Sequence, residues 1–307
     1  MDVLVTGATG FVGGRLLPDL LEAGHDVRAM TRSPEDFDAP VGVEVVGGDL
    51  LAPESLDGDF EGIDAAYYLV HSMGSGADFA ERDRRAARNF RAAAAEADVD
   101  RVIYLGGLGE EGEDLSAHLE SRREVETVLA EGEYDLTTLR AAIIVGTGSA
   151  SFETIRQLVA RLPVMVTPRW VQTPCQPIAI ADVVGYLVGV LEKPDTARKT
   201  FEIGGPDVLT YAEMMQETAR ALGRRPPMIL SVPVLTPRLS SYWVWLVTDV
   251  DIRVARELID GLKNPVVVTD DSIRDHIALE LTPFDEAVER ALYSGEADAT
   301  PADGAPA

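Results

Sequence analysis

The 307 residues are 46% hydrophobic and 26% charged, enough apolar material for a full core, and the length predicts two domains or one with a large appendage. Against 52 Asp and Glu stand 27 Lys and Arg, a formal net charge of −25 that repels polyphosphate and excludes a nucleic-acid-coating role. The single cysteine, Cys175, excludes an internal disulfide and a paired-cysteine metal site.

In chain order, the first 140 residues alternate short apolar runs with helical patterns. Strands are predicted at 3–6, 27–31, 43–46, 65–70, 102–105 and 136–139, and helices at 11–23, 78–95 and 117–130. Strict alternation with helical crossovers predicts a doubly wound parallel sheet, and the nearly all-apolar strands fit a sheet covered on both faces. Beyond residue 143 the rhythm breaks. A helix at 151–161 leads into a stretch at 162–176 that carries Pro163, Pro168 and Pro174. An apolar helix at 183–191 and a strand at 200–203 follow. Thr210 and Glu213 form a capping box, and Thr282-Pro283 opens a last helix. We divide the chain into a dinucleotide-binding domain (1–145), a smaller, less regular substrate lobe (146–294) whose chain can cross back to the sheet, and a disordered acidic tail (295–307).

The sharpest local signal is Val3-Leu-Val-Thr-Gly7-Ala-Thr-Gly10-Phe-Val-Gly13, placed after the first strand and at the mouth of the first helix. Glycines there let the backbone turn tightly and approach a pyrophosphate, whose charge meets free amides at the helix start. Gly7, Thr9, Gly10, Phe11, Val12 and Gly13 are the predicted cradle. The second strand ends in Arg32 and Ser33, with no carboxylate before Glu35, which suits a 2′-phosphate and favours NADP over NAD. Asp49 and Leu50 after the third strand are placed to meet the adenine edge, and Val70 and His71 end the fourth strand on the crevice side.

The glycine string, the Gly48-Asp49-Leu50 turn and Phe201-Glu-Ile-Gly-Gly-Pro206 resemble the extended and atypical short-chain dehydrogenase/reductase superfamily. Tyr67-Tyr-Leu-Val-His-Ser-Met-Gly74, Tyr104-Leu-Gly-Gly-Leu-Gly109 and Ser149-Ala-Ser-Phe-Glu153 resemble its atypical NAD(P)-binding branch, which includes NmrA-like regulators and relatives of a respiratory complex I accessory subunit. The likeness extends to about residue 290 and implies a Rossmann-type fold.

Active members of that superfamily carry Tyr-x-x-x-Lys. Here no lysine precedes Lys193, and none of the eight tyrosines has lysine four residues on. The equivalent helix offers His118 and Arg122, on one helical face at a spacing of four. His118 is the candidate general acid and Arg122 the candidate ribose ligand; the alternative is a solvated helix face. Glycines at Gly106-Gly107 replace the carbonyl-polarising serine of the family. Arg140, after the sixth strand, is predicted to border the nicotinamide.

Other patterns are weaker. The acidic loop Glu110-Glu-Gly-Glu-Asp114 reads as solvated surface, and the arginines of helix 78–95 as partners for nearby acids, with Phe79, Ala86, Ala87, Phe90 and Ala94 its buried stripe. Trp243 and Trp245, with Tyr242, suit an apolar pocket or a partner surface. His25 and His276 lack metal-like neighbours, so no metal is predicted. The longest run free of Asp, Glu, Lys and Arg is 65–77, too short to span a bilayer, and the chain opens directly on a strand, predicting a cytoplasmic protein without an integral membrane segment. Three lysines against 24 arginines, with acid spread along the whole chain, resemble proteins of cells rich in molar salt. The expected activity is an NADPH-dependent oxidoreductase on a small apolar or quinone-like molecule. The alternatives are a non-catalytic redox sensor or assembly scaffold with a protein partner or a second copy, and a sugar-nucleotide epimerase or dehydratase, which needs the missing tyrosine.

Overall fold

The computed structural model describes residues 1–71, 79–109, 117–232 and 264–297. The strands β1 (Asp2–Thr6), β2 (Asp26–Thr31), β3 (Glu44–Gly47), β4 (Ala65–Tyr68), β5 (Arg101–Gly107) and β6 (Asp135–Ala141) lie within a residue or two of their predicted positions. With β11 (Thr200–Ile203) they form one seven-stranded sheet in the order β11-β6-β5-β4-β1-β2-β3. Every neighbouring pair is parallel. Strand order reverses between β1 and β4, which opens a crevice at the carboxyl ends of the strands.

Helices cover both faces. Helices α1 (Gly13–Glu22) and α5 (Ile180–Glu192) pack on one, and α2 (Phe79–Glu96) and α3 (Ala117–Ala130) on the other. Leu16, Leu17 and Leu20 of α1 meet Val183, Leu187 and Val190 of α5 around Val3 and Val5. On the opposite face, Ala86, Ala87, Phe90 and Ala94 of α2 pack on Leu4, Tyr68 and Tyr104. The predicted stripe holds except that Phe79 is half-buried and Asp83 is buried in its place. The arginines do pair with acids: Arg84 reaches Glu81 and Glu124, and Arg91 reaches Glu131.

A second core joins α4 (Ala150–Arg161), α6 (Tyr211–Ala221) and α7 (Phe284–Ala297) through Phe152, Leu158, Met214 and Val288. The capping box at Thr210 and Glu213 is formed. Small sheets trim this region: β7 (Ile144–Val145) with β10 (Ile178–Ala179), β9 (Pro174–Cys175) with β12 (Leu209–Thr210), and β8 (Val164–Pro168) with β13 (Met228–Val232). Two details depart from the sequence reading. The proline-bearing stretch holds a real strand, β8, because Pro163 and Pro168 flank or end it instead of interrupting its bonds. Helix α7 runs to Ala297, so Gly295–Ala297 of the expected tail are helical, the helix being anchored by burial of Val288 and Ala291.

Candidate dinucleotide site

Between Thr6 and Gly13 the chain turns from the central strand into α1. Gly7 has φ +74°, and a Cβ there would lie 2.8 Å from the Leu69 carbonyl oxygen. A Cβ on Gly13 would lie 2.3 Å from the Gly7 oxygen. Both positions therefore admit glycine alone. The Gly10 amide donates to the Gly7 carbonyl at 2.9 Å, fixing the turn, and Thr9 and Gly10 are exposed while Phe11 and Val12 are half-buried. The first turn of α1 has no side-chain cap and no acidic residue, so its amides and positive dipole end face the crevice. This geometry fits a dinucleotide pyrophosphate.

Arg15 was not anticipated. Its guanidinium lies 4.5 Å from the Phe11 ring centroid and donates to the Phe11 oxygen at 2.8 Å and the Thr147 oxygen at 2.6 Å. A Cβ on Gly146 would meet the Phe11 ring at 3.0 Å. The cradle is thereby braced against residues 146–148.

On the β2 side, Arg32 is exposed and makes no hydrogen bond or ion pair with the described residues, and Ser33 is half-buried beside it. The third-strand turn is tightly built. The Asp49 carboxylate accepts the Leu51 amide at 2.9 Å, and the Asp49 amide donates to Ser55 Oγ at 2.9 Å. Leu50 is buried against Met30 and Leu56 in the core, so its side chain is not presented at the surface.

At the ends of β4 and β5 lies a polar cluster. Val70 follows the backbone that closes over Gly7, and His71 Nδ1 sits 3.4 Å from Asp83 Oδ2. Ser121 Oγ donates to the same oxygen at 3.4 Å. Arg122 donates to the Leu105 carbonyl at 2.8 Å and lies 5.6 Å from the Tyr104 ring centroid, while the Tyr104 hydroxyl donates to the Arg122 carbonyl at 3.1 Å. Burial pushes the His71 imidazole below its usual range, Arg122 adds to that, and Asp83 opposes it. The side chain of His118 lies outside the described residues. At Gly106 a Cβ would meet the Tyr104 ring at 3.1 Å, and at Gly107 it would meet Leu119 at 3.1 Å, so packing leaves the missing serine no easy room. Arg140 is directed to α3, where Glu126 accepts from it at 2.8 and 3.1 Å.

Sequence reasoning missed Asp83 and Tyr104, whose roles arise from elements that meet only in space. The 110–114 loop, Tyr242, Trp243 and Trp245 lie outside the described residues. His276 packs on Phe201, and His25 is pushed down by burial. Cys175 is buried, its thiol pushed up to about 11 by desolvation. Among the described residues no three potential metal ligands converge, and no helix is long and apolar enough to cross a membrane.

A glycine cradle at the switch point of a doubly wound parallel sheet defines a dinucleotide-binding protein. A family model described as NAD(P)H-binding matches residues 7–159. The ceramide reductase of Caulobacter vibrioides is 30% identical over 239 residues, covering 74% of this chain and 72% of that protein. A Streptomyces griseus reductase of (4-alkanoyl-5-oxo-2,5-dihydrofuran-3-yl)methyl phosphate is 30% identical over 231 residues, covering 72% of this chain and 74% of its own. The fold matches the Citrobacter triphenylmethane reductase, solved with NADP(H), at a TM-score of 0.77 and 21% identity, over 95% of this chain and 100% of that one. The chain belongs to the NAD(P)H-binding family that the family model describes, and its relatives include reductases.

Proposed function

We propose that the protein is an NADPH-dependent reductase of a small molecule. The observation that carries the choice of cofactor is Arg32, exposed and uncommitted at the end of β2 beside Ser33, with no acid in the position that would hold a bare ribose. The amides at Phe11–Gly13 hold the pyrophosphate, Arg32 and Ser33 take the 2′-phosphate, and Arg15 keeps the cradle seated on residues 146–148. When bound, the reduced nicotinamide supplies a hydride. Two curated relatives that share about three quarters of this chain are named reductases, which supports this reading over a sugar-nucleotide epimerase.

A second reading, a sensor or scaffold that binds cofactor without turnover, draws on Arg122 and Arg140. Both are committed to protein partners, Leu105 and Glu126, in a chain lacking Tyr-x-x-x-Lys. The 25% identity over 252 residues to an Arabidopsis thaliana subunit of NADH dehydrogenase accords with it.

Fluorescence titration with NADPH and NADH in molar KCl tests the assignment. Arg32→Ala is expected to weaken NADPH about tenfold or more while leaving NADH little changed. Equal weakening of both overturns the phosphate role. Absorbance of bound NADPH is then followed against a panel of carbonyls and quinones; oxidation supports the reductase, and saturable binding without oxidation supports the sensor.

A further inference from the structure

Helix α2 buries a carboxylate where its pattern calls for a small apolar residue. Its inward face reads Asp83, Ala86, Ala87, Phe90 and Ala94, and Asp83 is 2% exposed. A buried carboxylate costs stability unless it is paired, and an apolar side chain would serve folding alone as well. Among the described residues, His71 Nδ1 and Ser121 Oγ each lie 3.4 Å from Asp83 Oδ2.

The placement of the pair is equally specific. His71 continues the stretch whose Leu69 oxygen covers Gly7. In the sheet, β1 has β2 on one side and β4 on the other. A dinucleotide straddles that switch point, so if Arg32 at the end of β2 marks the adenosine side, the nicotinamide falls on the side of β4 and β5. His71 and Asp83 stand at that end.

We propose that His71, braced by Asp83, is the group whose protonation follows the oxidation state of the bound nicotinamide, holding a proton beside the reduced ring and releasing it beside the oxidised one. The proposal rests on the dinucleotide reading above. Its direction follows from charge. The oxidised ring carries one positive charge that the reduced ring lacks, and the phosphates are common to both. A positive charge beside an imidazolium makes it a stronger acid. With a carbonyl or quinone substrate the step balances: the substrate carbon gains a hydride with its electron pair, and the oxygen gains the proton that leaves His71. His71 ends neutral and is reprotonated from water. Among the described residues, the charged groups facing His71 are Asp83 from α2 and Arg122 from α3. The Tyr68 and Tyr104 phenols, kept neutral by burial, complete the surroundings of Asp83 and Arg122.

The test uses the full chain with ¹³Cε1-labelled histidine, titrated by NMR without nucleotide, with saturating NADP⁺ and with saturating NADPH. His71→Gln and His118→Gln assign the resonances. At an effective dielectric of about 20, a unit charge within about 10 Å moves a pKa by about one unit. His71 is therefore expected to titrate about one unit lower with NADP⁺ than with NADPH. His25 and His276 lie near the amino ends of β2 and β11 and should not respond. In Asp83→Asn, His71 should titrate lower in every state; the nucleotide comparison on the unaltered protein stands if that variant does not fold. By reciprocity, the ratio of NADPH to NADP⁺ affinity should change about tenfold through the same pH window. Identical His71 titration with both bound nucleotides, or the redox response at His118 instead, overturns the proposal and leaves the cofactor reading intact. An unmoved His71 in Asp83→Asn removes Asp83 from it. Failure of both nucleotides to bind overturns the cofactor reading, and this proposal with it.

Discussion

Gly7 and Gly13 were legible because backbone proximity leaves only one residue type possible, and the sequence records that directly. Gly7→Ala places a Cβ at φ +74° and 2.8 Å from the Leu69 oxygen. The left-handed conformation alone costs about 1–2 kcal/mol. Thermal melts should show a clear loss, and nucleotide titration an affinity reduced at least tenfold, beyond what the destabilisation explains. A Gly7→Ala protein that binds NADPH normally would refute the cradle. Asp83 was illegible for the opposite reason. On a helix crowded with arginines, a single acid reads as one more solvated charge, and its burial depends on His71 and Ser121 arriving from elsewhere. Arg140 illustrates the same limit, since Glu126 fourteen residues earlier captures it through a strand–helix contact.

A pH dependence also belongs to this scale. His71 and His25 are both held below the ordinary value of 6.5, chiefly by burial. The unfolded chain therefore binds more protons than the native one as pH falls below about 6.5. The sign is fixed: stability is full above that pH and declines as pH falls through the two native-state values. Denaturant midpoints should drop between pH 7 and 5.5 in the parent protein and drop less in the double variant His25→Gln/His71→Gln.

Helix α7 depends on side chains from other elements for its start. The carboxylate of Asp182, buried in α5, accepts the Thr282 amide at 2.8 Å and the Thr282 hydroxyl at 2.9 Å, while Asp207 accepts the Phe284 amide at 2.8 Å. Asp182→Ala would strand two buried donors and should cost about 1–3 kcal/mol, read as a shifted urea midpoint. A shift within about 0.5 kcal/mol would mean that water replaces the carboxylate. The Thr210–Glu213 box and the Thr282-Pro283 start could be read ahead of the structure because caps are local. Strand β8 could not, since its partner β13 lies some sixty residues onward and no turn chemistry links them.

For the whole molecule, a net charge of −25 spread along the chain implies self-repulsion that only concentrated counter-ions can quiet, with a Debye length of about 3 Å at molar salt. The melting temperature in molar KCl should exceed that in dilute buffer by several degrees, and equal values would show that the acid is locally compensated. The sheet class and its first six strands were plain from alternation. The division into a domain ending at residue 145 and a lobe whose chain can cross back to the sheet was drawn at the change of rhythm, and the strand that returns is β11, from residue 200, which pairs with β6.

That return has a bearing on how the chain is made. A nascent polypeptide that has emerged only as far as β6 holds an outermost strand with its hydrogen-bonding flank bare, and the stretch that shields it is still tens of residues from release. Until β11 arrives, the half-made protein invites pairing with a neighbour. A fragment of residues 1–145 should consequently sediment as aggregates, whereas one that includes β11 and α5 should remain dispersed.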